Sequence, residues 1–108
     1  MLRATAIVSK TTNRQSLVQG NDYEIIGIDD SCLRVIDESG EPGLFPKSYF
    51  LEGHFCPPPN WVLRKFDEDE YSYDPPELSE PGFYEDYADG HEAALATFRQ
   101  YRIKSTGF

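Results

Sequence analysis

Over the first half of the chain, apolar residues gather in short runs separated by turn signals. The clusters at Ala4–Val8, Tyr23–Ile28 and Leu33–Ile36 are rich in β-branched side chains, and Leu44-Phe45 opens a further run. Runs of this length read as strands rather than helices. Gly20-Asn21-Asp22 supplies turn chemistry, and Ser39-Gly40-Glu41-Pro42-Gly43 lies between two apolar runs as a hairpin loop would. Residues 2–52 are therefore expected to form a small antiparallel all-β unit with Ile26, Val35 and Phe45 buried. The pattern changes near residue 53. Pro57-Pro58-Pro59 favours extended, unpaired backbone, and in Asn60–Phe66 the residues Trp61, Leu63 and Phe66 are placed to form an added strand covering an edge. Pro75-Pro76 and Pro81-Gly82 interrupt any continuous helix. The last segment predicts the only substantial helix, Ala93 to Ile103, with Asp89 as its cap and Glu92 three residues on. Ala94, Phe98 and Tyr101 make a stripe with Leu95 beside it, which packs on the helix's own domain. Arg99, Arg102 and Lys104 complement the dipole at the C-terminal end.

Within this β pattern, Gln15-Ser16-Leu17-Val18-Gln19-Gly20-Asn21-Asp22-Tyr23-Glu24-Ile25-Ile26 resembles the loop and second strand of a Src-homology-three domain. Gly40-Glu41-Pro42-Gly43-Leu44-Phe45-Pro46-Lys47-Ser48-Tyr49-Phe50 is similar to that family's distal hairpin, fourth strand, one-turn helix and last strand, including the Pro-x-x-Tyr step. The resemblance covers about half the chain and implies a small antiparallel β-barrel over residues 1–53. Residues 54–108 are then an acidic aromatic extension and a C-terminal α-helix packed on it, the whole forming one structural domain. In the family, proline-rich peptides dock on aromatic walls. Here Pro46 and Tyr49 match one wall of that groove, while Ala4-Thr5-Ala6-Ile7-Val8 replaces the aromatic first motif and Ser31-Cys32 stands at the usual tryptophan pair. The resemblance therefore implies weak proline-peptide binding, with Tyr49 partly exposed beside Pro46.

Charge changes the picture more than composition does. The 108 residues carry 10 Lys or Arg against 19 Asp or Glu, a formal charge of −9. Nucleic acid and anionic membranes need clustered cations to neutralise phosphate, so neither is expected as a partner. From Phe66 to Glu92 there are 11 Asp or Glu and no Lys or Arg, with Tyr71, Tyr73, Phe83, Tyr84 and Tyr87 set among them. Acidic runs are commonly solvated tails, but tails of that kind are poor in aromatics. The candidate partner-binding surface is accordingly Asp67, Glu68, Asp69, Glu70, Tyr71, Tyr73, Asp74, Tyr84, Glu85 and Asp86. Its carboxylates would face a basic protein and its rings would fill pockets.

Catalytic chemistry is hard to find. There is no phosphate-cradling glycine loop and no Gly-x-Ser-x-Gly elbow, and His54 and His91 stand in different segments without a signature around them. His54-x-Cys56 with Cys32 lacks paired Cys-x-x-Cys spacing, and Asp67–Glu70 lacks the glycine and terminal glutamate of a calcium loop. No catalytic residue, metal or cofactor is expected. The N-terminal segment lacks the apolar core and cleavage site of a signal peptide, and no apolar run reaches the roughly 18–20 residues of a membrane span, so a cytoplasmic location with reduced thiols is expected. These features point to a non-catalytic stoichiometric inhibitor of a basic protein such as a nuclease toxin, similar in character to bacterial immunity proteins and antitoxins. The alternative is an adaptor or scaffold module that binds a peptide at Pro46 and Tyr49.

Overall fold

The computed structural model describes residues 2–12, 15–53 and 55–105. It is mainly β, with antiparallel sheets and a C-terminal helix. The chain forms two compact units, Met1–Asp74 and Pro75–Phe108. Although composition shifts at residue 53, the strands of the first unit run on to Asp74.

The first unit is organised around β4 (Asp22–Asp29), the longest strand. Along one edge β4 pairs with β5 (Cys32–Ile36), which in turn pairs with β6 (Pro42–Pro46). The other edge is divided. Its first half pairs with β1 (Arg3–Thr5) and its last two residues, Ile28 and Asp29, pair with Tyr73 and Ser72 of β8 (Tyr71–Asp74). β7 (Val62–Lys65) then pairs with β8 and ends the sheet. A register shift between Ile25 and Gly27 bends β4 where it changes partners, as a bulge does. Two short strands, β2 (Lys10–Thr11) and β3 (Ser16–Leu17), form a separate hairpin between β1 and β4. After β6 the chain makes one 3₁₀ turn, Lys47–Tyr49, and returns beside β1, where Ala6 bridges Phe50 and Leu51 N–H donates to the Thr5 carbonyl at 2.8 Å.

Alternation places Tyr23, Ile25 and Ile28 of β4 with Leu33 and Val35 of β5 and Phe45 of β6 in one core, joined by Ala4, Ala6, Leu17 and Phe50. Ile26 and Val35 are fully buried and Phe45 is nearly so. Burying each such side chain contributes about 1.5–3 kcal/mol. Among the described residues of 4–50 there is no long helix.

In the second unit a 3₁₀ turn at Pro76–Leu78 precedes α1 (Phe83–Ala88) and α2 (Glu92–Ser105). α1 is absent from the sequence expectation: Pro81-Gly82 starts a helix there instead of only breaking one, with Gly82 at φ +79 where a side chain would be strained. Asp89 does not cap α2. It ends α1, its N–H donating to the Glu85 carbonyl at 3.0 Å, and Gly90 at φ +78 separates the two helices. The α2 stripe faces inward as expected, with Ala94 and Phe98 buried and Tyr101 half-buried, and the Phe98 ring meets Tyr87 edge-on at 5.1 Å.

Candidate functional site

Two hairpin ends of the first unit, β5–β6 and β7–β8, are rich in acidic residues. At the end of the β7–β8 hairpin, Phe66 N–H and Asp67 N–H both donate to the Glu70 carbonyl, at 2.9 and 3.2 Å. This closes a tight loop that turns Asp67, Glu68, Asp69 and Glu70 outward, all four exposed. Among the described residues, only the Asp67 carboxylate of the four accepts a bond, from Glu68 N–H at 2.6 Å. Four hydrated carboxylates on a projecting tip make a concentrated anionic field with little self-satisfaction.

Behind the tip the expected aromatic anchors are partly committed to their own unit. Tyr71 and Tyr73, two apart on β8, lie on one face of the sheet, half-buried, with rings edge-to-face at 5.8 Å. Tyr73 also packs against the core. The sequence reading missed β8 as a strand. The alternation of Tyr71-Ser72-Tyr73-Asp74 has the strand period but is short and sits in a run dominated by charge.

Asp74, expected on the outward anionic surface, is buried, with 8% of it exposed. It lies over Gly27, where a Cβ would stand 3.1 Å from its Oδ1, and Ser72 Oγ donates to its Oδ2 at 3.3 Å. Burial raises the pKa of this carboxyl; the Ser72 bond and the charges of Arg34 and Arg64 pull the other way, and Asp29 adds to the rise. In the second unit Glu85 and Asp86 are exposed on the first turn of α1, and Tyr84 is half-buried with its ring 5.0 Å from that of Phe83.

Pro46 is exposed and Tyr49 half-buried at the end of the 3₁₀ turn. The Tyr49 ring lies 6.5 Å from that of Phe45, and Lys10 of the β2–β3 hairpin holds its ammonium 5.7 Å from the ring centroid. The sequence expectation did not include this cation over the ring, because no local pattern links residues 10 and 49. A neighbouring groove of about 690 Å³ is lined by Ile7, Leu51 and Phe55 with Lys47 and Glu52. In the second unit a groove of about 590 Å³ runs along α2 past Ala96, Tyr101 and Ile103, beside a 4.0 Å ion pair of Lys104 with Glu77.

The two thiols, Cys32 half-buried and Cys56 exposed, are both free, and His54 lies outside the described residues. Among the described residues no group of three His, Cys, Asp or Glu side chains could hold a metal ion, and no helix is long and apolar enough to cross a membrane. No family model, curated protein or solved structure matches the chain.

Proposed function

We propose that this chain is a non-catalytic protein-binding protein, a stoichiometric inhibitor that covers a basic protein with its anionic hairpin tip. The observation that carries this reading is the exposed tip itself, with Asp67, Glu68, Asp69 and Glu70 turned to solvent on a two-strand support. A carboxylate field of one sign accelerates encounter with a cationic cleft, such as the substrate groove of a nuclease, and the net charge of −9 acts in the same direction. Tyr71, half-buried beside the tip, supplies the adjacent apolar contact.

On fold, the proposal is a Src-homology-three-type barrel over the first part of the chain. It is supported by the pairing of β1 with β4 on one side, by the isolated bridge of the following Ala6 to Phe50 on the other, and by the 3₁₀ turn that leads from β6 to Phe50. Proline-peptide binding at Tyr49 is weak in this reading, since Lys10 already stands over the ring.

The test is kinetic. The chain is immobilised, a partner is recovered and eluted with salt, and its binding to wild type is compared with that to a D67N/E68Q/D69N/E70Q variant at two ionic strengths. Slower association with a flatter salt dependence is the expected result. Equal rates at low salt, with the fold intact, would place the interface elsewhere.

A further inference from the structure

We infer that the free edge of β7 is a self-association surface, on which a second copy of this chain pairs its own β7 antiparallel in a register centred on Leu63. β7 pairs only with β8 among the described residues and ends its sheet. Phe66 N–H donates across the hairpin to Glu70, so in the alternating antiparallel ladder Phe66, Arg64 and Val62 turn their backbone groups toward β8. Leu63 and Lys65 therefore turn theirs outward. Trp61 turns its carbonyl outward too, its N–H being held by the Pro58 carbonyl at 3.1 Å. The edge also exposes apolar area: Leu63 is 45% exposed, Val62 38% and Phe66 64%.

The order of side chains along this edge is complementary to its own reverse. A continuous two-copy sheet keeps each face on its own side, so the paired positions share parity. Centred on Leu63, the pairing sets Leu63 against Leu63 of the second copy, Lys65 against Trp61, and Arg64 against Val62. Leu63 then exchanges two hydrogen bonds with its counterpart, and each Lys65 N–H meets a Trp61 carbonyl, which uses the groups that point outward. Each ammonium lies beside an indole, a favourable pairing, and no two cations face each other. Shifting the centre to Arg64 or Lys65 opposes like charges directly, which destabilises a strand pair. Leu63 and Trp61 share the face of Tyr73, so the apolar stripe continues across the join.

The chain's acidity does not oppose this arrangement strongly. Asp67 falls opposite residue 59 of the second copy, so the two acidic tips lie eight positions apart along the strands. That is roughly 26 Å, well beyond the screening length of about 8 Å at physiological salt. A single strand edge buries less than a standard interface, so the dimer is weak and forms at high protein concentration.

Sedimentation of the full chain between roughly 10 µM and 1 mM should show reversible dimerisation that persists or strengthens as salt is raised. Leu63→Lys, which sets its ammonium directly against that of its counterpart across the centre, should abolish it. Lys65→Pro removes the outward N–H together with the ammonium that meets Trp61, and should weaken it without disturbing the β7–β8 ladder; circular dichroism checks that both variants fold. In a background with Cys32 and Cys56 replaced by Ser, Leu63→Cys should cross-link to its counterpart on oxidation and Lys65→Cys should not. A wild-type chain that stays monomeric throughout, a dimer unaffected by folded Leu63→Lys, or cross-linking through residue 65 instead of 63 would each overturn the inference.

Discussion

Two hairpin ends of the first unit, β5–β6 and β7–β8, have nearly the same kind of sequence and opposite fates. Between β5 and β6 the turn reads Asp37-Glu38-Ser39-Gly40-Glu41, and between β7 and β8 it contains Asp67-Glu68-Asp69-Glu70. At the first, the central carboxylate turns inward. Asp37 is 4% exposed; its Oδ1 accepts from Ser39 N–H, Ser39 Oγ and Glu41 N–H, at 2.9, 2.6 and 3.1 Å, and its Oδ2 accepts from Ser16 N–H at 3.1 Å. One side chain thus closes the turn and ties it to β3. Glu38, beside it, accepts from the Tyr23 hydroxyl at 2.5 Å and from Asn21 Nδ2 at 3.2 Å. At the second turn the described residues offer the carboxylates one donor, Glu68 N–H, so their charge faces solvent or a partner. An acidic turn is structural where its own chain supplies the hydrogen-bond donors and open to a partner where it does not. Composition does not distinguish the two.

Replacing the central carboxylate of the inward turn should have the largest effect. Asp37→Ala strands three backbone N–H groups and a hydroxyl near the core surface, and should cost about 3 kcal/mol in urea unfolding. A cost no greater than that of a tip substitution would erase the distinction between the two turns. Next comes Tyr23→Phe, which removes the hydroxyl that donates to Glu38 and accepts from Val18 N–H at 2.8 Å. The expected loss is about 1 kcal/mol by thermal or chemical denaturation.

The hydrogen bond from Tyr23, followed by that from Asn21, holds the Glu38 carboxyl below its ordinary pKa, while burial and then the Glu38 bond raise that of Tyr23. A depressed carboxyl contributes stability above its unfolded pKa and loses it as pH falls through the folded value. Glu38→Gln should therefore flatten the acid limb of a stability–pH profile. Asp74 has the opposite sign. Its raised pKa means that the folded chain holds the proton more tightly than the unfolded chain, so its contribution declines as pH rises through that window. Asp74→Asn should give a small stabilisation near neutral pH that vanishes in acid, measured by unfolding midpoints across the range. The smallest stability effect belongs to the D67N/E68Q/D69N/E70Q variant, whose unfolding midpoint should match wild type or rise slightly as self-repulsion falls. A marked loss of stability there would make the outer turn structural too.

Much of the fold was legible in the residues. The β-branched runs around Tyr23–Ile28 and Leu33–Ile36, the glycine turns and the Pro46-to-Tyr49 step are local signals, and each corresponds to a strand, a turn or the 3₁₀ helix. The α2 stripe was legible for the same reason, since Ala94, Phe98 and Tyr101 repeat at a helical period. The acidic segment was read as one surface, and the structure divides its residues among several settings. Asp67–Glu70 are exposed at a tip, Tyr71 and Tyr73 lie along a strand, Asp74 is buried over Gly27, and Glu85 and Asp86 lie on α1 in the other unit. Charge density alone could not separate these places.

The sequence alone carried the strands around Tyr23–Ile28 and Leu33–Ile36, the last helix, the strong negative charge and the glycine turns, because backbone preference and hydrophobic period act over a few neighbouring residues. Only the tertiary structure decided that β8 inserts beside the second half of β4, that Lys10 stands over Tyr49, and that Asp37 is enclosed while Asp67 is not. Each of those outcomes depends on donors, rings or strand edges brought in from distant parts of the chain, and a local pattern carries no record of them.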